Sequence, residues 1–289
     1  GVEEGAAAAV DAIARVHRRP AGLRKFEVIS SESLLRGARA CAAIDGAPLA
    51  LDGVPPTVSA YSLLAPEVQA STVRTFARAP LQVLARIDVA AGGPGHPARD
   101  SAVAQALAQL ITRGAGVDFD RLLPVVLHAE IAARSLFGEN STVVALVAAR
   151  AAAIHTGFDP RGFAVPETYL NRHRAAYREA LMGYEDTPAE LFTLLFTAWT
   201  AGAEEADGIA RNDRGDLFIR AKLHGRDPAH LRLDAVNLSI DPLGIADTGI
   251  EISGAGRDFS QSLGDSHAGS SQGCNKTKSA FHWTSNRSD

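Results

Sequence analysis

The segment from Thr142 to Ile154 is apolar on nearly every side of a helix, and Arg150 is its only charged residue. A helix without a polar face is poorly suited to the surface of a domain, because no side of it favours water. Other helices have to surround it. This segment therefore predicts an all-α bundle with a central buried helix.

The rest of the first 210 residues fits the same fold class. Apolar residues recur at helical spacing, and the period-two alternation of strands is almost missing. Proline in a first turn and Gly, Asn or Asp at the ends delimit the segments. The predicted helices cover residues 6–17, 30–46 (opened by Ser30 or Ser31), 66–79, 80–91, 100–112, 122–136, 142–156, 166–182 and 188–206.

The chain divides into four parts by pattern. Residues 1–29 are predicted to form an N-terminal helix and a basic linker, and residues 30–210 the helical domain. Residues 211–249 are predicted to be a weakly structured extension. Residues 250–289 are rich in Gly, Ser, Asp and Asn, so they bury too little apolar surface to offset the entropy of ordering, and a disordered tail is predicted.

Charge and cysteine content narrow the classes of protein. A formal net charge of −4 gives no overall attraction to nucleic acid, and no such partner is expected. No apolar stretch approaches the ~20 residues of a membrane helix, and the first residues lack a signal pattern, so neither membrane insertion nor export is predicted. Cys41 and Cys274 lie in dissimilar contexts, which argues against a disulfide framework. A cytoplasmic protein fits best.

The segment just before the central helix is the most informative one. Residues 134–142, the motif segment, read RSLFGENST. This segment resembles the motif H-P-F-x-(D/E)-G-N-G-R of the Fic/Doc family, in which one helix ends and the next begins. The resemblance implies a Fic-like bundle and an anion site for nucleotide phosphates, formed by loop amides and a helix N-terminus. In that family the His is the general base toward a protein hydroxyl, the acid holds Mg²⁺, and the Arg steadies the phosphates.

The motif is degenerate in this chain. Without gaps, Arg134 falls on the His position and Thr142 on the Arg position, and only Asn140 is retained. With a shift of one residue and a one-residue deletion, Glu139 takes the place of the metal-binding acid and Ser135 that of the His. Neither alignment supplies the His or the Arg, and a guanidinium with a pKa above about 12 is no base near neutrality.

A second segment supports the resemblance. Residues 35–46 read LRGARACAAIDG and resemble the family's N-terminal helix with (S/T)-x-x-x-E-(G/N), whose Glu pairs with the motif Arg and blocks the nucleotide site. Cys41 stands on the hydroxyl position, Asp45 on the Glu position, and Gly46 matches. The stretch Gly92–Arg99 falls where the family has a β-hairpin flap that holds a target segment. It is short and rich in Gly and Pro.

These features favour a degenerate Fic-like domain, a pseudoenzyme that retains weak anion or nucleotide binding at the loop formed by Gly138, Glu139, Asn140, Ser141 and Thr142. Stretch 127–166 reads most like actinobacterial Fic-like proteins with a degraded motif.

Two alternatives stay open. One is an active Fic-type protein adenylyltransferase that uses ATP and Mg²⁺, in which Glu139 holds the metal ion, Arg134 steadies phosphate, and His128 or His96 supplies the base. The other is a helical module that only binds a protein partner. A third interpretation concerns the fold: an unrelated Ala-rich bundle in which Phe137–Asn140 is a simple turn. The polar residues between Glu167 and Glu179 are interpreted as a solvated helix face.

Overall fold

The computed structural model describes residues 1–46 and 55–211, all of which fall within one compact unit of the chain. The predicted extension 211–249, beyond its first residue, and the predicted tail 250–289 lie outside the described residues. In the described ranges every regular element is helical. The elements are α1 (Val2–His17), α2 (Pro20–Arg24), α3 (Phe26–Ile44), α4 (Pro56–Ser62), α5 (Pro66–Arg78), α6 (Pro80–Ala90), α7 (Ser101–Arg113), α8 (Val117–Ala133), a 3₁₀ turn (Gly138–Asn140), α9 (Ser141–Thr156), α10 (Pro166–Arg172), α11 (Arg174–Met182) and α12 (Pro188–Arg211).

The central helix is α9, as predicted. From Ser141 to Ala153 only Thr142 is more than slightly exposed, because α3, α4, α5, α6 and α8 pack around α9. Its side chains are mostly Ala and Val, which let the neighbouring helices approach closely. The all-α class is therefore confirmed.

The prediction of a linker before residue 30 is wrong. Residues 20–24 form α2, and α3 begins at Phe26 rather than at Ser30. His17 and Arg19 contact Asp159 and Asp207, so this segment is held within the bundle. Helix α1 packs along α12, so the N-terminal residues belong to the same core as the rest.

Other elements also differ from the prediction. Helix α4 was not predicted, and α8 begins at Val117 rather than at residue 122. The predicted helix 166–182 is two helices that meet at His173, whose backbone is not helical (φ −111°, ψ 30°). Because the break changes the helical phase, residues of α10 and α11 do not share one face.

Candidate functional site

The motif segment begins with an unusual helix end. Helix α8 stops in a Schellman motif: the N–H groups of Ser135 and Leu136 donate to the carbonyls of Ala132 and Ile131. Ser135 takes the left-handed position of this motif with φ +50°, where glycine is the usual residue. The predicted end at Leu136 is wrong because the sequence has no glycine there to mark the stop. The fully buried Leu136 then anchors the turn in the core.

Backbone hydrogen bonds already use much of the loop Gly138–Thr142. The N–H groups of Gly138, Asn140 and Ser141 donate to the carbonyls of Ser135, Phe137 and Gly138. These three N–H groups are therefore not free to donate to an anion. The Asn140 side chain makes no capping hydrogen bond to α9, and its Nδ2 donates instead to Asp88 Oδ1 at 2.9 Å.

The end of α3 lies beside the start of α9. The side chain of Asp45 lies close enough to Thr142 for the hydroxyl to lower the pKa of the carboxyl. From α11, Arg178 Nη2 donates to Ile44 O at 2.9 Å, which stabilises the C-terminal end of α3. Loss of surrounding water raises the pKa of Asp45, against the opposing effects of the Thr142 hydroxyl and the Arg178 charge.

Cys41 and Gly46, the other two matched positions of residues 35–46, differ in environment. Cys41 is fully buried, and burial raises the pKa of its thiol, which makes it unreactive as a nucleophile. Gly46 is exposed and has φ +78°, a conformation that favours glycine at a helix end.

His128 lies in the core rather than in an open site. Its imidazole is 2% exposed, and its Nε2 is 2.7 Å from the Tyr177 hydroxyl. Burial lowers the pKa of His128 to about 3, so the ring is neutral at pH 7. The prediction of His128 as a candidate catalytic base is wrong, because a buried ring that contacts Tyr177 cannot reach a substrate.

Arg134 faces carboxylates of its own fold. Its Nε donates to Glu130 Oε2 at 2.6 Å, and its Nη1 is 3.4 Å from Glu185 Oε1. The hydrogen bond to Glu130 raises the pKa of Arg134, so the group stays charged and cannot act as a base. Tyr184 completes the cluster by donating to Glu130 Oε1 at 2.8 Å. The guanidinium is thus already neutralised, which does not support a phosphate contact.

Glu139 is exposed in the 3₁₀ turn. A Mg²⁺ site needs further oxygen ligands near it, yet among the described residues no group of three or more His, Cys, Asp or Glu side chains could hold a metal ion. A Mg²⁺ ion at Glu139 would therefore rely on water and phosphate oxygens to complete its coordination. None of the described helices is long and apolar enough to cross a membrane.

A buried charge cluster in the core of the bundle was not predicted. Arg150 of α9 donates to Glu167 of α10 through Nε at 2.6 Å and through Nη2 at 2.8 Å, and the Tyr61 hydroxyl donates to Glu167 at 2.9 Å. Gly37 of α3 leaves the space, since a Cβ there would lie 2.7 Å from Arg150 Nη2. Arg150 was visible as the one charge of α9, whereas Glu167 was wrongly assigned to a solvated face.

The structure thus brings Asp45 and Thr142 together and places Asn140 against Asp88. It separates Arg134 and His128 from the loop by engaging both elsewhere. In comparisons with protein-family models, with curated proteins and with solved structures, nothing matched this chain.

Proposed function

We propose that this chain is a Fic-like pseudoenzyme whose loop Gly138–Thr142 binds a phosphate-type anion or nucleotide weakly and transfers nothing. One observation carries the proposal. The two segments that resemble Fic elements lie far apart in sequence, yet Asp45 lies beside Thr142, the residue on the motif Arg position. The resemblance implies this proximity, because in the family the inhibitory Glu lies against the motif Arg.

The engaged side chains support the non-catalytic part of the proposal. Nucleotide transfer to a hydroxyl needs a group that accepts its proton at the reacting atoms. Arg134 stays protonated and is held by Glu130, while His128 is buried against Tyr177. To use either of them, an active adenylyltransferase would have to release it and leave its partner unsatisfied. His96, the other candidate base, is exposed.

Weak anion binding is supported by the local charge. Two arginines of α11 reach the end of α3: Arg178 donates to Ile44 O, and Arg174 Nη1 lies 3.4 Å from Ala43 O. They add positive charge near the N-terminal end of α9, where the helix dipole also favours an anion. Asp45 opposes this field, which keeps the expected affinity low.

The test combines calorimetry with ATP and Mg²⁺ and a transfer assay with labelled ATP on the full chain. We expect weak binding and no label on any protein. The double variant Arg134→His with Thr142→Arg restores two family residues, and its comparison with Arg134→Ala separates chemistry from loss of the Glu130 contact. Label transfer by the unaltered protein that Arg134→Ala abolishes would establish the active enzyme. Absence of any ATP or phosphate binding would leave the protein-interaction module.

A further inference from the structure

Asp88 of α6 connects two loops that the sequence keeps apart. Its side chain is fully buried, and its carboxylate oxygens accept from two different loops: Oδ1 from Asn140 Nδ2 at 2.9 Å and Oδ2 from the Gly95 N–H at 2.8 Å. Its backbone carbonyl accepts from the Gly93 N–H at 2.8 Å. A buried carboxylate is costly unless such donors satisfy it, so these contacts are strongly favoured once formed.

The loop that Asp88 holds is Gly92–Arg99, which we call the 92–99 loop. It is also joined directly to the motif segment, because the Ala98 N–H donates to Leu136 O at 2.7 Å. Gly93 fits against the contact itself: a Cβ at this position would overlap both Asp88 Oδ1 and Asn140 Nδ2. The absence of a side chain at Gly93 is therefore required for the contact to form.

We propose that Asp88 is a positioning residue that latches the 92–99 loop onto the motif segment and withholds Asn140 from the start of α9, which limits access of an anion to the loop Gly138–Thr142. This inference rests on the proposed function, since it concerns regulation of the same site. Asn140 is the one retained motif residue, and its amide, a hydrogen-bond donor suited to a phosphate oxygen, is instead committed to a carboxylate. The Asp88 charge close by also repels an anion.

The latch predicts how much the apparent affinity for an anion changes when the 92–99 loop is released. The apparent affinity of a site falls by the fraction of molecules in the competent state. If the latch is open in about a tenth of the molecules, opening it fully tightens anion binding by about tenfold. A purely structural role for Asp88 predicts the reverse, because a loosened loop orders its ligands less well.

The test uses inorganic phosphate as the probe, with calorimetry and amide hydrogen exchange on the full chain. Asp88→Asn removes the charge and leaves one acceptor oxygen for two donors, so either the Asn140 amide or the Gly95 N–H loses its partner. Gly93→Ala drives a methyl between the two bonded atoms and leaves the Asp88 charge in place. The control is Asp159→Asn, another buried carboxylate that accepts two backbone N–H groups, from Phe163 and Ala164, away from the motif segment. Circular dichroism establishes that each variant is folded at the assay temperature.

We expect both latch variants to bind phosphate about tenfold more tightly, with faster exchange in residues 92–99 and 136–141, and Asp159→Asn to change neither. A gain confined to Asp88→Asn would assign the effect to charge and overturn the latch. Unchanged exchange in these loops, or an equal gain in Asp159→Asn, would also overturn it. Failure of the proposed function would give a different result. Hydrogen exchange would show that the loops open in the latch variants, yet neither the unaltered protein nor any variant would bind phosphate. In that case there is no anion access to regulate, and the inference falls with it.

Discussion

Arg150 and Glu167 are both shielded from water, so each depends on the other to offset the cost of burying its charge. Burial opposes the charged state of Arg150, but the adjacent Glu167 carboxylate prevails and raises the pKa of the guanidinium. Tyr61 shares the Glu167 carboxylate, and burial raises the pKa of its hydroxyl, which remains a donor. This cluster joins α4, α9 and α10 through three side chains.

Breaking the buried ion pair should be costly. Arg150→Ala leaves the Glu167 carboxylate uncompensated in the core, and we expect the free energy of unfolding to fall by about 3–5 kcal/mol in urea denaturation. The control is Arg121→Ala, whose partner Asp118 is 68% exposed, with an expected loss of less than about 1 kcal/mol. Equal losses in both variants would contradict the importance of the buried pair.

His128 should make the protein sensitive to mild acid. Its pKa is about 3 when folded and about 6.5 when unfolded, so between these values the unfolded chain binds the extra proton. Stability falls as pH drops through this window, by about 1.4 kcal/mol per pH unit from this residue. We measure the free energy of unfolding by urea denaturation at several values between pH 7 and pH 4.5. We expect it to change less steeply with pH in His128→Gln than in the unaltered chain. Tyr177→Phe keeps the buried imidazole, so its unfolding free energy should depend on pH as steeply as in the unaltered chain. A weak pH dependence in Tyr177→Phe would refute the assignment of the effect to His128.

Residue identity alone revealed one half of each buried pair. Arg150 and His128 stand out in apolar segments, and the sequence flags them. Their partners Glu167 and Tyr177 lie in a polar and aromatic stretch of sequence that gave no sign of their burial. A partner chosen by tertiary packing has no signal in local spacing.

At the scale of elements, proline was a reliable sequence marker of helix starts. The predicted starts at Pro66, Pro80, Pro166 and Pro188 are confirmed. Proline has no backbone N–H, and in the first turn of a helix that N–H would have no partner within the helix. Helix ends were harder to predict. The end of α8 depends on Ser135 in a left-handed conformation, which the sequence does not announce. The orientation of Asn140 also escaped prediction, because Asp88 competes with helix capping for its amide.

Helix α12 offers a matched test of close packing. A Cβ on Gly202 would lie 2.6 Å from the backbone of Val165 and Pro166, so Gly202→Ala must push α10 away from α12. We expect a loss of about 1–3 kcal/mol in unfolding free energy. Gly208 in the same helix has no atom near a built Cβ, and Gly208→Ala should stabilise by about 0.5–1 kcal/mol through helix propensity. Opposite signs in thermal melts are the expected result, and a neutral Gly202→Ala would disprove the tight approach.

At the scale of the whole molecule, the N-terminal helix is part of the main core rather than an appendage. Helix α1 buries one face against α12, and His17 binds Asp159 in the turn after α9 at 2.6 Å. The His17 ring also stacks on Phe163 at 4.5 Å. The sequence predicted a separate segment 1–29, because a basic stretch with proline and glycine resembles a linker when its acidic partners are far away in the chain.

Coupling between α1 and the distant centre is testable. Ile13 of α1 is 2% exposed, and Ile13→Ala should cost about 2–5 kcal/mol. If the helices unfold as one unit, hydrogen exchange should accelerate equally in α9, although α9 does not contact the mutated residue's helix extensively. Val10 of the same helix is 39% exposed, and Val10→Ala should change stability by less than about 0.5 kcal/mol. Faster exchange confined to α1 would indicate an independent segment.

The alanine-rich surface of α9 has a consequence for how the bundle finds a single arrangement. Side chains such as Ala145, Ala148 and Ala152 are small and alike, so a helix of this kind packs almost equally well after a rotation about its own axis. Burying them costs little side-chain entropy, but it also specifies little. Arg150 breaks this near-degeneracy, because only one rotation presents the guanidinium to Glu167, and every other rotation leaves a bare charge among methyl groups. We therefore expect Arg150 to fix the rotation of α9 about its own axis. Arg150→Met should give a protein that is still helical but interconverts between packings. Broadened methyl resonances would show this exchange.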